Sequence, residues 1–313
     1  MEVALLESAE MPQKGDITMS KQITYHFGTT RDKTFPEFPI GNVLVCGGTH
    51  TTWWTVIRNL LSEQILQYSA HDLTLRIFDS KSADLCPDDR GDYIGLCDIC
   101  EACTNATEDN VNNFLCHVQQ EVHRRLQLIN DSDKTTYVQF NEMNEDPEGH
   151  ISTMIVVLHN LGYTVDSMDE DTIKATRSHL QFIMTNAERS GVYVLMTCNS
   201  DPKFVLRPLK MFVNNFDMIA LTSVSGEQSV YALGNDIAMF MSDSQVAVRD
   251  TDGDVRVLNV PNYYDKNVVK SIQEQELFPK GVKFEENKLK QWALFMGANS
   301  DTDKAETQEE VER

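Results

Sequence analysis

Apolar and polar positions alternate between two periods along this chain, and the switches between them outline its elements. Val43-Leu44-Val45-Cys46 is an unbroken apolar run and predicts a buried strand. Leu73 to Phe78 predicts a second strand, ending in Asp79-Ser80-Lys81. Thr153 to Leu158, Val192 to Thr197 and Asp217 to Thr222 follow the same rule, and such runs suit strands covered on both faces of a parallel sheet. Between them the period lengthens to that of a helix. Val56, Ile57, Leu60 and Leu61 share one stripe, and Asn105 to Ile129 places Val111, Phe114, Leu115, Val118, Val122 and Ile129 on one face. Asn105 with Glu108 three residues on predicts the start of that helix. Another helix is expected from about Asp171 to Ser190, stopped by Gly191. A short strand within Lys21 to Phe27 precedes the series, with Pro36 and Pro39 holding the approach to Val43 extended. Gln245–Val248 and Val255–Leu258 flank Asp252-Gly253 and predict a hairpin. Alternating strands and helices make an α/β protein with a mostly parallel sheet and right-handed crossovers.

The stretch from Asn42 to Leu61 carries the candidate chemistry. Strand, Gly47-Gly48, then helix is the frame of a phosphate-binding loop, in which backbone N–H groups cradle phosphates. The working pattern is G-x-x-x-x-G-K-[ST]. Laid from Gly47, it runs through Gly48, Thr49, His50 and Thr51 and puts Thr52 at the second glycine, Trp53 at the lysine and Trp54 at the Ser/Thr. The frame is present, but the lysine and the hydroxyl that carry its chemistry are not. Three readings of the indoles stand: core filling at the helix start, an aromatic anchor for a partner, or a stacking surface for a base. Open α/β sheets bind ligands beyond the C-terminal ends of their strands. Gly47 to Trp54, Asp79, His159-Asn160 and Cys198-Asn199 all fall on that rim.

Composition narrows the function classes. The 313 residues suffice for one large domain with appendages, and 41% hydrophobic content for its core. A net charge of −21 opposes direct binding to nucleic acid or to an anionic membrane surface, so no direct nucleic-acid partner is expected. Solubility or a basic protein partner suits that charge better. No run approaches the roughly 20 apolar residues of a membrane span, so no membrane insertion is expected. With seven cysteines and no export signal, free thiols in a reducing cytoplasm are expected. Cys86, Cys97, Cys100 and Cys103 crowd an irregular loop over 84–104. Incidental thiols, a structural zinc on four sulfurs and an iron–sulfur cluster are all readings of that spacing. The expected organisation is a polar leader over 1–20, one domain over 21–276, a helical extension over 277–298 with a short helix around Asn287–Met296, and an acidic, disordered tail over 299–313.

The order of segments resembles the FtsK/SpoIIIE family of RecA-like motor ATPases over about residues 20–275. Val43–Leu61 stands at the family's P-loop and helix. Phe78-Asp79-Ser80-Lys81 is similar to its Asp-Pro-Lys, with Ser80 for Pro. Glu121-Val122-His123-Arg124-Arg125 is similar to its Glu-Met-x-Arg-Arg, and Tyr137 to Asn141 to a following Tyr-Asn segment. Ile155 to Asn160 stands at its Walker B strand, Ala187 to Thr197 at its Ala-Arg-Ala-Ala-Gly segment, Cys198-Asn199-Ser200 at its Gln-Arg-Pro, and Ala238 to Val260 at its closing hairpin.

The resemblance implies a RecA-like P-loop NTPase fold with a C-terminal β-hairpin. It also implies a degenerate nucleotide site at Gly47, Gly48, Thr49, His50, Thr51, Thr52, Trp53, Trp54, Asp79, His159 and Asn160. His159 replaces the metal-coordinating Asp, Asn160 the Glu that polarises water, and Cys198 the sensor Gln. Motor catalysis is nearly all positioning and stabilisation of phosphoryl charge. The expectation is therefore a pseudo-ATPase that binds no ATP and has lost its turnover. It would act as a binding, regulatory or scaffold subunit of a DNA- or protein-translocating assembly, as a homo- or hetero-oligomer or beside an active motor ATPase. The competing readings are an ATP-binding DNA translocase with an atypical site, and an acidic decoy for a nucleic-acid-binding partner.

Overall fold

The structure is a computed structural model and describes residues 23–260 except 49, 70, 81–99, 107–109, 145 and 147–148. The leader over 1–20, the helical extension over 277–298, a further helix expected around Asn267–Glu276, the acidic tail, and Cys86 and Cys97 lie outside the described residues.

Ten strands and eight α-helices are described: β1 (Thr24–Tyr25), β2 (Phe38–Pro39), β3 (Val43–Cys46), α1 (His50–Gln67), β4 (Leu73–Ser80), β5 (Cys100–Ala106), α2 (Val111–Asp131), α3 (Tyr137–Met143), β6 (Thr153–His159), α4 (Leu161–Val165), α5 (Glu170–Thr185), α6 (Ala187–Ser190), β7 (Val192–Cys198), α7 (Pro202–Leu206), β8 (Met218–Leu221), α8 (Gly226–Leu233), β9 (Gln245–Arg249) and β10 (Val255–Asn259). β1 and β2 pair antiparallel as a small separate ribbon. The other eight form one sheet in the order β10-β9-β8-β3-β7-β6-β4-β5. Pairing is parallel from β8 to β5, and β9 and β10 close one edge antiparallel. β3 has β7 on one side and β8 on the other, while the chain next returns to the sheet beyond β6. This reversal of direction opens a crevice beyond the tip of β3.

The apolar strands are buried on both faces because two cores flank the sheet. Side chains alternate along a strand. Leu44 and Cys46 thus enter the core built with α2, α4, α5 and α7, while Val43 and Val45 enter the core built with α1 and the N-terminal segment. α1 covers its side with Trp53, Val56, Ile57, Leu60 and Leu61, spaced as one helical stripe. Each face excludes water from a full row of aliphatic side chains, at about 25 cal/mol per Å² of apolar surface.

Four boundaries differ from the sequence reading. The irregular cysteine stretch does not continue to 104, because Cys100–Ala106 is β5, parallel to β4 at the sheet edge. The expected cap at Asn105 with Glu108 fails for the same reason: Asn105 is in that strand, and α2 begins at Val111. A side-chain capping pattern is a local signal, and the pairing of β5 with β4 overrides it. The helix expected over 171–190 is two pieces, broken at Asn186, whose side-chain amide donates to the Phe182 carbonyl at 2.9 Å. Gly191 does stop it, in the left-handed region at φ 70°. Last, α3, α4, α7 and α8 were not foreseen, since each spans eight residues or fewer and too little of the helical period shows.

α2 carries one residue that breaks its apolar stripe. Arg125 is buried among Val118, Val122 and Ile129, and its guanidinium donates to the carbonyls of Ser152 at 2.6 Å and Ser190 at 3.2 Å. These residues precede β6 and β7, so one side chain ties α2 to the N-terminal ends of both strands. Glu121 closes the group, accepting from Arg125 at 2.8 Å and from Arg124 at 2.7 Å twice. Burial opposes ionisation of Glu121, but the hydrogen bonds and charges of Arg124 and Arg125 prevail and hold its carboxyl at about 2. A depressed folded value stabilises above the ordinary value of 4.5, and the contribution fades as pH falls through about 2. We expect the stability gap between the wild type and Glu121→Gln to be full at pH 7 and to narrow between about pH 4.5 and 2. Urea unfolding of both proteins across that range checks it.

Candidate functional site

The strand tips gather the rim residues from five segments. Asp79 at the end of β4 is in register with His159 at the end of β6. Asn160 follows β6 and holds a left-handed backbone at φ 53°, which asparagine tolerates better than most residues. Its side-chain carbonyl accepts from the Asn199 N–H at 3.2 Å. Thr197 joins the two strands: its hydroxyl accepts from the Asn160 N–H at 3.0 Å and lies 3.0 Å from His159 Nδ1. Asp79, His159, Asn160 and Thr197 are all buried.

The glycine turn closes on the protein itself. Gly47 N–H donates to the Cys198 carbonyl, and Gly48 N–H to the Ser223 carbonyl, each at 3.3 Å. The Thr222 hydroxyl occupies the space where a β-carbon on Gly47 would sit, so only glycine fits there. Thr49 lies outside the described residues, as do the side chains of His50 and Thr51. Thr52 is buried where α1 begins.

Trp53 fills the interior behind this turn. It is 0% exposed, and its indole N–H donates to the Val45 carbonyl at 3.2 Å. Its ring stacks on His159, with centroids 5.3 Å apart and planes at 26°. Trp54, half-buried, lies 6.2 Å from Trp53 and 5.3 Å from His159. Two indoles and an imidazole thus form one packed cluster between α1 and the end of β6. Of the readings open for the indoles, core filling describes Trp53, and Trp54 forms its outer layer.

On the opposite face of the sheet, Cys46 and Cys198 are register partners on β3 and β7, and both thiols are free. Burial first, then a hydrogen bond with Cys198, pushes the Cys46 thiol well above its ordinary value. Cys198 Sγ also lies 3.1 Å from the Ser200 hydroxyl. Protonated and buried, the Cys46 thiol is a weak nucleophile, whereas the hydrogen bond with Cys46 lowers the Cys198 thiol.

The rim placement of Gly47, Gly48, Trp53, Trp54, Asp79, His159 and Asn160 was legible in the sequence. Two members were missed. Thr197 was visible only as a polar end to an apolar run, and nothing local marked Thr222, which reaches Gly47 across 175 residues. Among the described residues, no group of three or more His, Cys, Asp or Glu side chains is placed to hold a metal ion. Cys100 and Cys103 lie on β5 by backbone, and their side chains are not described.

This topology, with the glycine turn at the reversal point of a mostly parallel sheet, is the RecA-like P-loop NTPase fold of FtsK/SpoIIIE-type motor ATPases. No family model and no curated protein matches the sequence. Among solved structures, the chain is similar to the pCW3 conjugation coupling protein TcpA in its monomer form with ATPγS, at TM-score 0.63 and 14% identity over 83% of this chain and 72% of that one. It is also similar to EssC (ATPases 2 and 3) from Geobacillus thermodenitrificans, at 0.60 and 14% over 90% of this chain and 51% of that one. The cytoplasmic domain of the type VII secretion ATPase EccC from Thermomonospora curvata follows at 0.58 and 14%, over 88% of this chain and 32% of that one. The chain therefore spans about half of the EssC chain and a third of the EccC chain.

Proposed function

We propose that this chain is a pseudo-ATPase, a motor-type fold that acts by binding as a regulatory or scaffold subunit of a translocating assembly. The observation that carries this reading is Trp53, buried and stacked on His159 where a working loop of this fold has a lysine against phosphate.

Mg·ATP does not suit the residues present. The Gly47 and Gly48 amides, which would cradle phosphate, already donate to protein carbonyls. Thr222 crowds Gly47 from the side. A histidine ring packed against both indoles and a carboxamide stand where the motor family has its two acidic residues. No hydrolysis step follows from such a set. Losing one preorganised charge-stabilising group costs roughly 10²–10³ in rate, and here several are replaced together. The similarity to conjugation and secretion ATPases favours a translocation setting, and the net charge of −21 favours a protein over a nucleic-acid contact.

The test is phosphate release by malachite green, with and without Mg²⁺, from highly purified protein. We expect no release above a matched blank. Turnover that scales with protein concentration and disappears in a Trp53 variant of retained fold would overturn the reading. Among the described residues no helix is long and apolar enough to cross a membrane.

A further inference from the structure

The chain after Val260 leaves the sheet at a fixed point. Asn259 N–H donates to the Thr29 carbonyl at 2.7 Å, and Thr29 N–H returns a bond to Asn259 at 2.8 Å. Val260 N–H donates to the Ser244 carbonyl at 2.8 Å. That exit lies beside the start of β9, four residues beyond a 3₁₀ turn over Ile237–Phe240.

The same corner carries an unusual surface. Phe240 is 73% exposed and Met239 55%, and Val230 on α8 is 52% exposed. The turn packs on α8: Ser229 Oγ donates to the Asn235 carbonyl at 2.7 Å and accepts from the Ala238 N–H at 3.1 Å. Met239 Sδ approaches the space beside Gly226 at the head of α8. Acidic side chains surround these apolar ones. Glu227, Asp236 and Asp243 are exposed; Lys203, bonded to Glu227 at 2.6 Å, and the nearby Arg207 offset Glu227.

The remaining sequence holds a segment of opposite character. Lys280, Lys283, Lys288 and Lys290 lie within 280–290, against Glu285 and Glu286, in a chain of net charge −21. Leu289, Trp292 and Phe295-Met296 recur at helical spacing between and after those lysines. A helix of about ten residues is marginal in water unless its apolar stripe is packed. The 27 Cα–Cα steps from Val260 to Asn287 span up to roughly 90 Å extended, so reach does not limit where the segment goes.

We propose that residues 287–296 dock in cis on the acid-rimmed surface formed by Val230, Met239 and Phe240. The apolar stripe meets Met239 and Phe240, and Lys288 and Lys290 meet the acidic rim. Occupancy of this face is independent of the nucleotide reading.

The experiment uses the full chain with Phe240→p-benzoylphenylalanine, irradiated as an equal mixture of ¹⁵N-labelled and unlabelled protein. A crosslink within one chain to a peptide covering 287–296 is expected. Crosslinks only between chains, only to other segments, or none at all would each overturn the proposal. A second measurement follows trypsin cleavage after Lys288 and Lys290. Met239→Asp combined with Phe240→Asp alters exposed positions and should speed cleavage about tenfold if docking protects those bonds. An unchanged cleavage rate, with an unchanged melting temperature, overturns the proposal as well.

Discussion

Replacing Trp53 by alanine is expected to destabilise the fold by about 3–5 kcal/mol, the range for deleting a fully buried large aromatic. The indole contributes in three ways. Its area is removed from water in the α1-side core, its ring stacks on His159, and its N–H satisfies the Val45 carbonyl. The void cannot close easily, since β3 and β6 behind it are held by strand pairing on both sides. Urea unfolding measures the loss, and a fall in Tm of roughly 10 °C should accompany it. Trp53→Phe separates the terms. It keeps a ring in the stack and gives up the donor, so a loss nearer 1 kcal/mol is expected from the hydrogen bond. Under the proposed pseudo-ATPase reading, Trp53→Lys should give no hydrolysis, because it places an ammonium in an apolar core beside His159 and Asn160. A near-neutral Trp53→Ala would mean that the indole is not the packing element described.

The second large effect is expected at Arg125. Arg125→Ala should cost about 3–5 kcal/mol, as removal of one partner from a buried ionic group does. It leaves the Ser152 and Ser190 carbonyls without their donor and strips Glu121 of its buried partner. Arg124→Ala should cost under about 1 kcal/mol, since its side chain is 58% exposed and the pair is screened. Arg125→Lys should recover little, because an ammonium cannot reproduce the fork that reaches Glu121 and two carbonyls together. Equilibrium denaturation of the three variants checks the order. Equal losses at both arginines would contradict the assigned geometry. The Glu-x-x-x-Arg segment that supported the family resemblance is thus a structural tie, remote from the strand tips.

Much of the architecture was legible because its signals are local. An apolar run bounded by polar turns names a buried strand, and the stripe Val56, Ile57, Leu60, Leu61 names the covered face of α1. The rim residues followed from those, since each stands at the C-terminal end of a strand. Asn105 misled because a cap pattern is also local, while β5 exists through its pairing with β4 about 25 residues away. The short helices α3, α4, α7 and α8 were missed because packing, more than periodicity, decides them.

By itself the sequence determined the alternation of strand and helix, the glycine turn after β3, and the presence of Trp53, Trp54, His159 and Asn160 beside the strand ends. Those are properties of neighbours along the chain. Only the tertiary structure decided that β3 lies between β7 and β8, that Trp53 stacks on His159, that Thr197 holds the His159–Asn160 corner, and that Thr222 fills the space beside Gly47. Each joins residues tens to more than a hundred positions apart, and such contacts depend on strand order and crossover direction, which no local period encodes.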